Sequence, residues 1–165
     1  MTELRPERPE DIAAIRAVHT AAFETPAEAG LVDALRASDA WLPDLSVVAV
    51  DAGEAVAHAL LSRIILATAG GDVPALALGP VAVLPDHQRQ GYGSAVIRDV
   101  LARRADRLVV VLGDPAYYGR FGFVPGAVHG ITGEWSSFGA AWQVLPPAGG
   151  TKPGEARYPD AWTEL

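Results

Sequence analysis

A chain of 165 residues with half its residues hydrophobic and a fifth charged has the length and balance of one globular domain, which excludes disordered, collagen-like and coiled-coil classes. Its 13 basic and 20 acidic residues leave a net charge of −7, a field that repels phosphate backbones, so no nucleic acid is expected as a partner. It contains no cysteine, which excludes disulfides, thiolate metal sites and any acyl group parked on a Cys.

In chain order, Ile12, Ile15, Val18, Ala22 and Phe23 recur at helical spacing after an acidic entry at Pro9-Glu10-Asp11, and predict a first helix. Leu31 and Leu35 place a second helix over Ala27 to Ala37. Leu45 to Val50 and Ala55 to Leu66 flank Asp51-Ala52-Gly53-Glu54 and predict a hairpin. Gly70-Gly71-Asp72 marks a further turn, and Val73 to Leu84 a third strand broken at Gly79-Pro80, a pair that does not fit a regular ladder. The polar stretch from Pro85 to Gly93 opens into a helix with Val96, Ile97, Val100 and Leu101 on one stripe. Leu108 to Leu112 then reads as a strand buried on both faces, so Val81 to Leu112 reads as strand, loop, helix, strand with a right-handed parallel crossover. A short helix is expected over Pro115 to Arg120, and strands over Phe121 to Val124 and Ala140 to Leu145. The tail from Pro146 ends in Tyr158, Pro159 and Trp162 and is expected to dock. No apolar run reaches the roughly 18 residues that span a bilayer, and the first residues lack a secretory stretch, so no membrane is expected and a cytoplasmic location is.

Chemistry concentrates at Gln88-Arg89-Gln90-Gly91-Tyr92-Gly93-Ser94. A glycine-rich turn at a helix N-terminus lets successive backbone N–H groups converge on phosphate oxygens, with the helix dipole in support. A third glycine after Gly91 and Gly93 is missing, as is a Gly-Lys-Ser/Thr, so neither dinucleotide nor P-loop fingerprints apply. Gln88-x-x-Gly91-x-Gly93, preceded by Leu78-Gly79-Pro80-Val81-Ala82-Val83, closely resembles the acetyl-coenzyme A motif of the GNAT superfamily of N-acetyltransferases. Tyr118-Gly119-Arg120-Phe121-Gly122-Phe123 resembles that superfamily's Tyr-x-x-x-Gly-Phe signature, in the family's order and spacing.

The resemblance implies an α/β (α+β, three-layer) fold with a mixed, central, splayed β-sheet flanked by helices, as a single N-acetyltransferase domain over 1–165 with its core at about 3–146. It implies acetyl-CoA as cosubstrate, its pyrophosphate on the N–H groups of Gln88, Arg89, Gln90, Gly91, Tyr92, Gly93 and Ser94. Val81, Ala82 and Val83 would bond the pantetheine arm, and an N–H of Ala82 or Val83 would polarise the thioester carbonyl. Tyr118 takes the place of the general acid; no general base can be assigned. The implied reaction moves acetyl to a primary amine of a small molecule, peptide or protein by direct attack in a ternary complex. The rival is a noncatalytic acyl-CoA-binding domain, and the resemblance also allows a homodimer. Among the remaining candidates, His58 reads as a packing or surface residue, His19 as solvent-facing on the first helix, and His87 and His129 as loop residues with no metal site. Asp114 reads as a helix cap, Arg103-Arg104 as a solvated helix end, and Trp135, Phe138, Trp142 and Trp162 as core-completing aromatics.

Overall fold

The computed structural model describes residues 2–164; Met1 and Leu165, the ends of the expected domain, lie outside them. In chain order the elements are β1 (Thr2–Pro6), α1 (Ile12–Phe23), α2 (Ala27–Arg36), β2 (Ser46–Asp51), β3 (Glu54–Thr68), β4 (Gly71–Leu78), β5 (Ala82–Val83), α3 (Tyr92–Ala102), β6 (Val109–Leu112), α4 (Pro115–Tyr118), β7 (Val124–Pro125), β8 (Ile131–Gly133), β9 (Trp142–Leu145) and β10 (Gly154–Arg157), joined by short 3-10 turns. Parallel and antiparallel pairs both occur, so the strands form a mixed sheet flanked by helices. The chain gathers into two compact units, one running through Ser62 and including Gly79–Arg103 and the residues from Asp160, the other made of Arg63–Leu78 and Arg104–Pro159.

In the first unit β1 pairs antiparallel with β2, and β2 with β3. Ala52 and Gly53, at φ of 50° and 80°, make the tight turn whose twist suits a β-hairpin. Beyond β4 the chain bends through Gly79-Pro80, and β5 pairs antiparallel with β3, His58 opposite Ala82 and Ala57 opposite Val83. α1 and α2 bury Ile15, Leu31, Val32 and Leu35 against Val48 and Leu60, with Trp41 and Trp162 packed on this core. These positions recur three to four residues apart, which makes each helix one-sided.

In the second unit β4 pairs parallel with β6 through Leu76 and Ala77 opposite Val109 and Val110. β6 and β7 each pair antiparallel with β9. β10 lies between Ile65–Ala67 of β3 and the parallel β8. Trp142 is buried, and its indole N–H donates to the Ile131 carbonyl at 2.9 Å. A Cβ on Gly154 would stand 2.6 Å from the Ala67 carbonyl oxygen, so β10 approaches β3 closely only with glycine at that position.

The hairpin, the two first helices and the break at Gly79-Pro80 match the sequence reading. The strand expected to enter the parallel crossover at Val81 is β4 instead, which ends at Leu78 before the break. The strand expected over Phe121 to Val124 starts only at Val124, because a 3-10 turn occupies Gly119–Phe121 and Gly122 sits at φ 95°. α4 ends at Tyr118, two residues short of Arg120. β1, β8 and β10 have no counterpart in the reading. Each is short and mixes polar, glycine or proline residues with few apolar ones, so register with a neighbour creates it rather than local pattern.

Candidate functional site

The turn after β5 delivers backbone donors to a helix end. Arg89 and Gly91 both adopt positive φ, 63° and 89°, and Gly91 caps α3 with no side chain over its first turn. The first intrahelical bond of this turn runs from Ala95 N–H to Gly91 C=O at 3.0 Å, so the N–H groups of Tyr92, Gly93 and Ser94 precede the helical ladder. They form the end where α-helices receive anions. Nothing lies within 4 Å of a Cβ placed on Gly91; the glycine is there for its backbone conformation and leaves the approach open. Gln88, Arg89 and Gln90 are exposed. Tyr92 anchors the turn, its hydroxyl donating to Asp51 at 3.1 Å, with His87 packed edge-on against its ring.

β5 presents an open edge. Leu84 N–H donates to the Val56 carbonyl at 2.9 Å, so by antiparallel alternation Ala82 bonds His58 while Val83 directs its N–H and C=O away from β3. The Gln88 side-chain amide donates to the Val83 carbonyl at 3.2 Å, which agrees with that direction and ties the glycine turn to β5. Of the two N–H groups considered for a thioester carbonyl, that of Val83 faces outward.

Tyr118 ends α4 in the second unit. Asp114 caps this short helix by accepting the Ala116 N–H at 2.9 Å, the role read for it from sequence. The Tyr118 ring is half-buried, packed edge-on against Tyr117 and Phe123 at centroid distances of 5.1 and 5.9 Å. It lies so close to Gly113 that any Cβ there would collide with it. Burial, with a smaller effect from Tyr117, pushes the Tyr118 phenol up to about 12, and its hydroxyl bonds to no described residue. It stays protonated across the physiological range.

The first unit also holds a buried polar chain. His19 is 0% exposed, not solvent-facing as the sequence suggested. It lies four residues from Ile15 on the buried stripe of α1, and that spacing was the available signal. His19 Nε2 meets His58 Nδ1 at 2.8 Å, and His58 Nε2 meets Ser46 Oγ at 2.7 Å. The Ser46 hydroxyl donates to Glu7, whose carboxylate also receives Arg36 at 3.1 Å. Burial alone would raise the Glu7 carboxyl, but the His58 ring nitrogen 3.6 Å from it and hydrogen bonds from Arg36 and Ser46 hold it at about 2. Burial, then the neighbouring His58, drives His19 down to about 3, and burial also lowers His58. Arg104, expected at a solvated helix end, instead donates to the carbonyls of Leu145 and Pro146 at 3.2 Å. Phe138 is exposed while Trp142 is core.

Residues 3–126 match the acetyltransferase (GNAT) domain family. The uncharacterized N-acetyltransferase YjhQ of Escherichia coli is 40% identical over 121 residues, 70% of this chain and 65% of YjhQ, so the match spans just under two thirds of that relative. The uncharacterized N-acetyltransferase YhbS of E. coli is 33% identical over 86% of this chain and 84% of its own length. A GNAT family acetyltransferase from Brucella melitensis, solved in complex with acetyl-CoA, is 35% identical with a TM-score of 0.81 over 98% of both chains. E. coli YhbS, solved in complex with CoA, superposes with a TM-score of 0.88 at 30% identity, covering 98% of this chain and 92% of that one.

Proposed function

Since the chain belongs to the GNAT family of N-acetyltransferases, we propose that it transfers acetyl from acetyl-CoA to a primary amine of a small molecule or peptide, by direct attack in a ternary complex. The observation that carries this is the glycine-capped N-terminus of α3 tied through Gln88 to the outward-facing edge of β5. Acetyl-CoA is the cosubstrate. The Gln88 N–H, expected among the donors, is instead committed to the Pro85 carbonyl at 3.4 Å, so the pyrophosphate takes the N–H groups of the turn from Arg89 to Ser94, where backbone dipoles and the helix end favour an anion. Val81, Ala82 and Val83 line the pantetheine arm in the manner of an added strand, and the outward Val83 N–H polarises the thioester carbonyl as charge develops on its oxygen.

Attack by a neutral amine gives a tetrahedral intermediate that must expel CoA as a thiolate. Tyr118 donates the proton, since its phenol is held in the protonated form and no described residue competes for its hydrogen. With no cysteine in the chain, no thiol-linked acyl-enzyme intervenes.

The test is a panel of amines assayed by release of free CoA, run on wild type, Tyr118→Phe and Tyr117→Phe. Amine-dependent release in wild type is expected. Tyr118→Phe should lower kcat by roughly 10² with acetyl-CoA affinity little changed, the usual scale for loss of a proton donor, while Tyr117→Phe stays near wild type. Acetyl-CoA binding without release for any amine would overturn the transferase reading. A Tyr118→Phe enzyme with full kcat, on an amine for which chemistry limits the rate, would overturn the role of Tyr118 alone.

A further inference from the structure

Hydrogen counting gives the buried chain of the first unit a direction. Glu7 is held ionised and cannot donate, and the one hydrogen of Ser46 goes to it. Ser46 Oγ therefore accepts from His58 Nε2, 2.7 Å away. Burial keeps both rings neutral, and a neutral imidazole carries one N–H, so His58 Nδ1 is bare. The hydrogen in the 2.8 Å contact between the rings then belongs to His19 Nε2. His19 Nδ1 is left as a buried lone pair to which no described residue donates. The other nitrogens and oxygens between Glu7 and His19 are paired, and a buried polar side-chain atom left without a partner is uncommon; among the described residues His87 Nδ1 is the other case.

The helix that carries the open end, α1, packs against the strand assigned to the thioester, β5. His58 stands opposite Ala82, and residues opposed in an antiparallel pair share a face. We propose that His19 Nδ1, through one bound water, takes up the proton that the attacking amine loses, and that His58 and Ser46 relay it toward Glu7. This rests on the acetyltransferase reading and supplies the base that the sequence left unassigned.

In the transfer, the amine N–H breaks as the bridging water receives its proton and gives one of its own to His19 Nδ1. The Nε2 hydrogen of His19 moves to His58 Nδ1, the Nε2 hydrogen of His58 to Ser46 Oγ, and the Ser46 hydrogen to Glu7. No electrons are exchanged. The thiolate takes its proton from Tyr118, whose phenolate is then reprotonated from solvent, and because Glu7 lies at about 2 it holds the extra proton only in passing and the relay resets as that proton returns to water along the same path. The charged groups acting on the two rings are Glu7, which follows β1, and Arg36 on α2, itself paired with Glu7 and Asp33; Phe23 of α1 stacks on His19. Because burial opposes charge on either ring, the proton passes through His19 rather than resting on it.

Nitrogen-15 NMR of the histidine-labelled wild-type protein near neutral pH tests the direction. Hydrogens are expected on Nε2 of both His19 and His58, with both Nδ1 atoms bare; a hydrogen on His19 Nδ1 would overturn the relay. The kinetic arm uses His19→Phe, which keeps a ring and removes both nitrogens, with an amine active in the CoA-release panel. Near pH 7 kcat should fall roughly 10²-fold with acetyl-CoA affinity unchanged. The loss should be recovered about tenfold per pH unit as solvent deprotonates the amine instead. Ser46→Ala, which leaves His19 in place and cuts the chain further along, should show the same recovery and serves if His19→Phe does not fold. A wild-type pH profile in these variants would overturn the relay while leaving acetyl transfer intact. A wild type that releases no CoA with any amine would overturn the transferase reading itself, a different outcome from either.

Discussion

The turn from Gln88 to Ser94 and the chain from Glu7 to His19 lie in the same unit and are both polar, but one is made of backbone and the other of side chains. The turn is exposed, and its donors are N–H groups that any residue would supply once Gly91 takes a φ of 89°. The chain is buried and draws one side chain each from α1, β2, β3 and the residue after β1. A site of the first kind depends on conformation and tolerates many side chains. One of the second kind depends on identities and on every partner being present, because a buried polar group that loses its partner keeps its full desolvation cost.

That contrast makes the chain an acid-sensitive element and the turn an indifferent one. His19 lies below its ordinary value, at about 3 against 6.5, so between those values the unfolded state binds the additional proton. Stability then rises with pH through the window and is lost as pH falls from 6.5 toward 3. His58 acts in the same sense. Glu7, at about 2 against 4.5, contributes stability that is full above pH 4.5 and lost below it. Denaturant titrations from pH 7 to pH 4 should show stability falling by about 1.4 kcal/mol per pH unit for each group in its window. A flat profile down to pH 4 would break the comparison at its strongest point.

Ser46→Ala removes the acceptor of His58 Nε2–H and a donor to Glu7, and should cost about 1–3 kcal/mol with acetyl-CoA affinity unchanged by calorimetry. Weakened cofactor binding without loss of stability would show the chain to be part of the cofactor site instead. Gln88→Ala should do the converse, with less than about 0.5 kcal/mol lost because the residue is exposed and a several-fold drop in acetyl-CoA affinity as the tie to Val83 is released.

Legibility in the sequence divides along the same line. The turn was readable because a backbone site needs glycines at fixed spacing in one contiguous stretch. The short helix that ends at Tyr118 was readable because Pro115 follows Asp114, a residue that caps helix starts. The break at Gly79-Pro80 was readable because the pair cannot continue a ladder. The buried chain was not readable: residues 7, 19, 46 and 58 are ordinary one by one, and only tertiary pairing lines up their atoms. His19 was the partial exception, since its place four residues after Ile15 put it on the apolar stripe, where a histidine has to find a partner. β1, β8 and β10 escaped for a related reason, as short strands with mixed composition exist through their neighbours.

Whether the turn after Gln88 holds the pyrophosphate of acetyl-CoA is decided by calorimetric titration of acetyl-CoA into wild type and Gly91→Glu. The substitution brings a carboxylate to the anion site at a position with open space for a side chain, adding backbone strain of about 1–2 kcal/mol. Wild type should bind, and the variant should stay folded, by its circular dichroism and melting, with affinity reduced by roughly 10² or more, as expected when like charges meet at one site. A folded Gly91→Glu protein that binds acetyl-CoA as wild type does would contradict that placement.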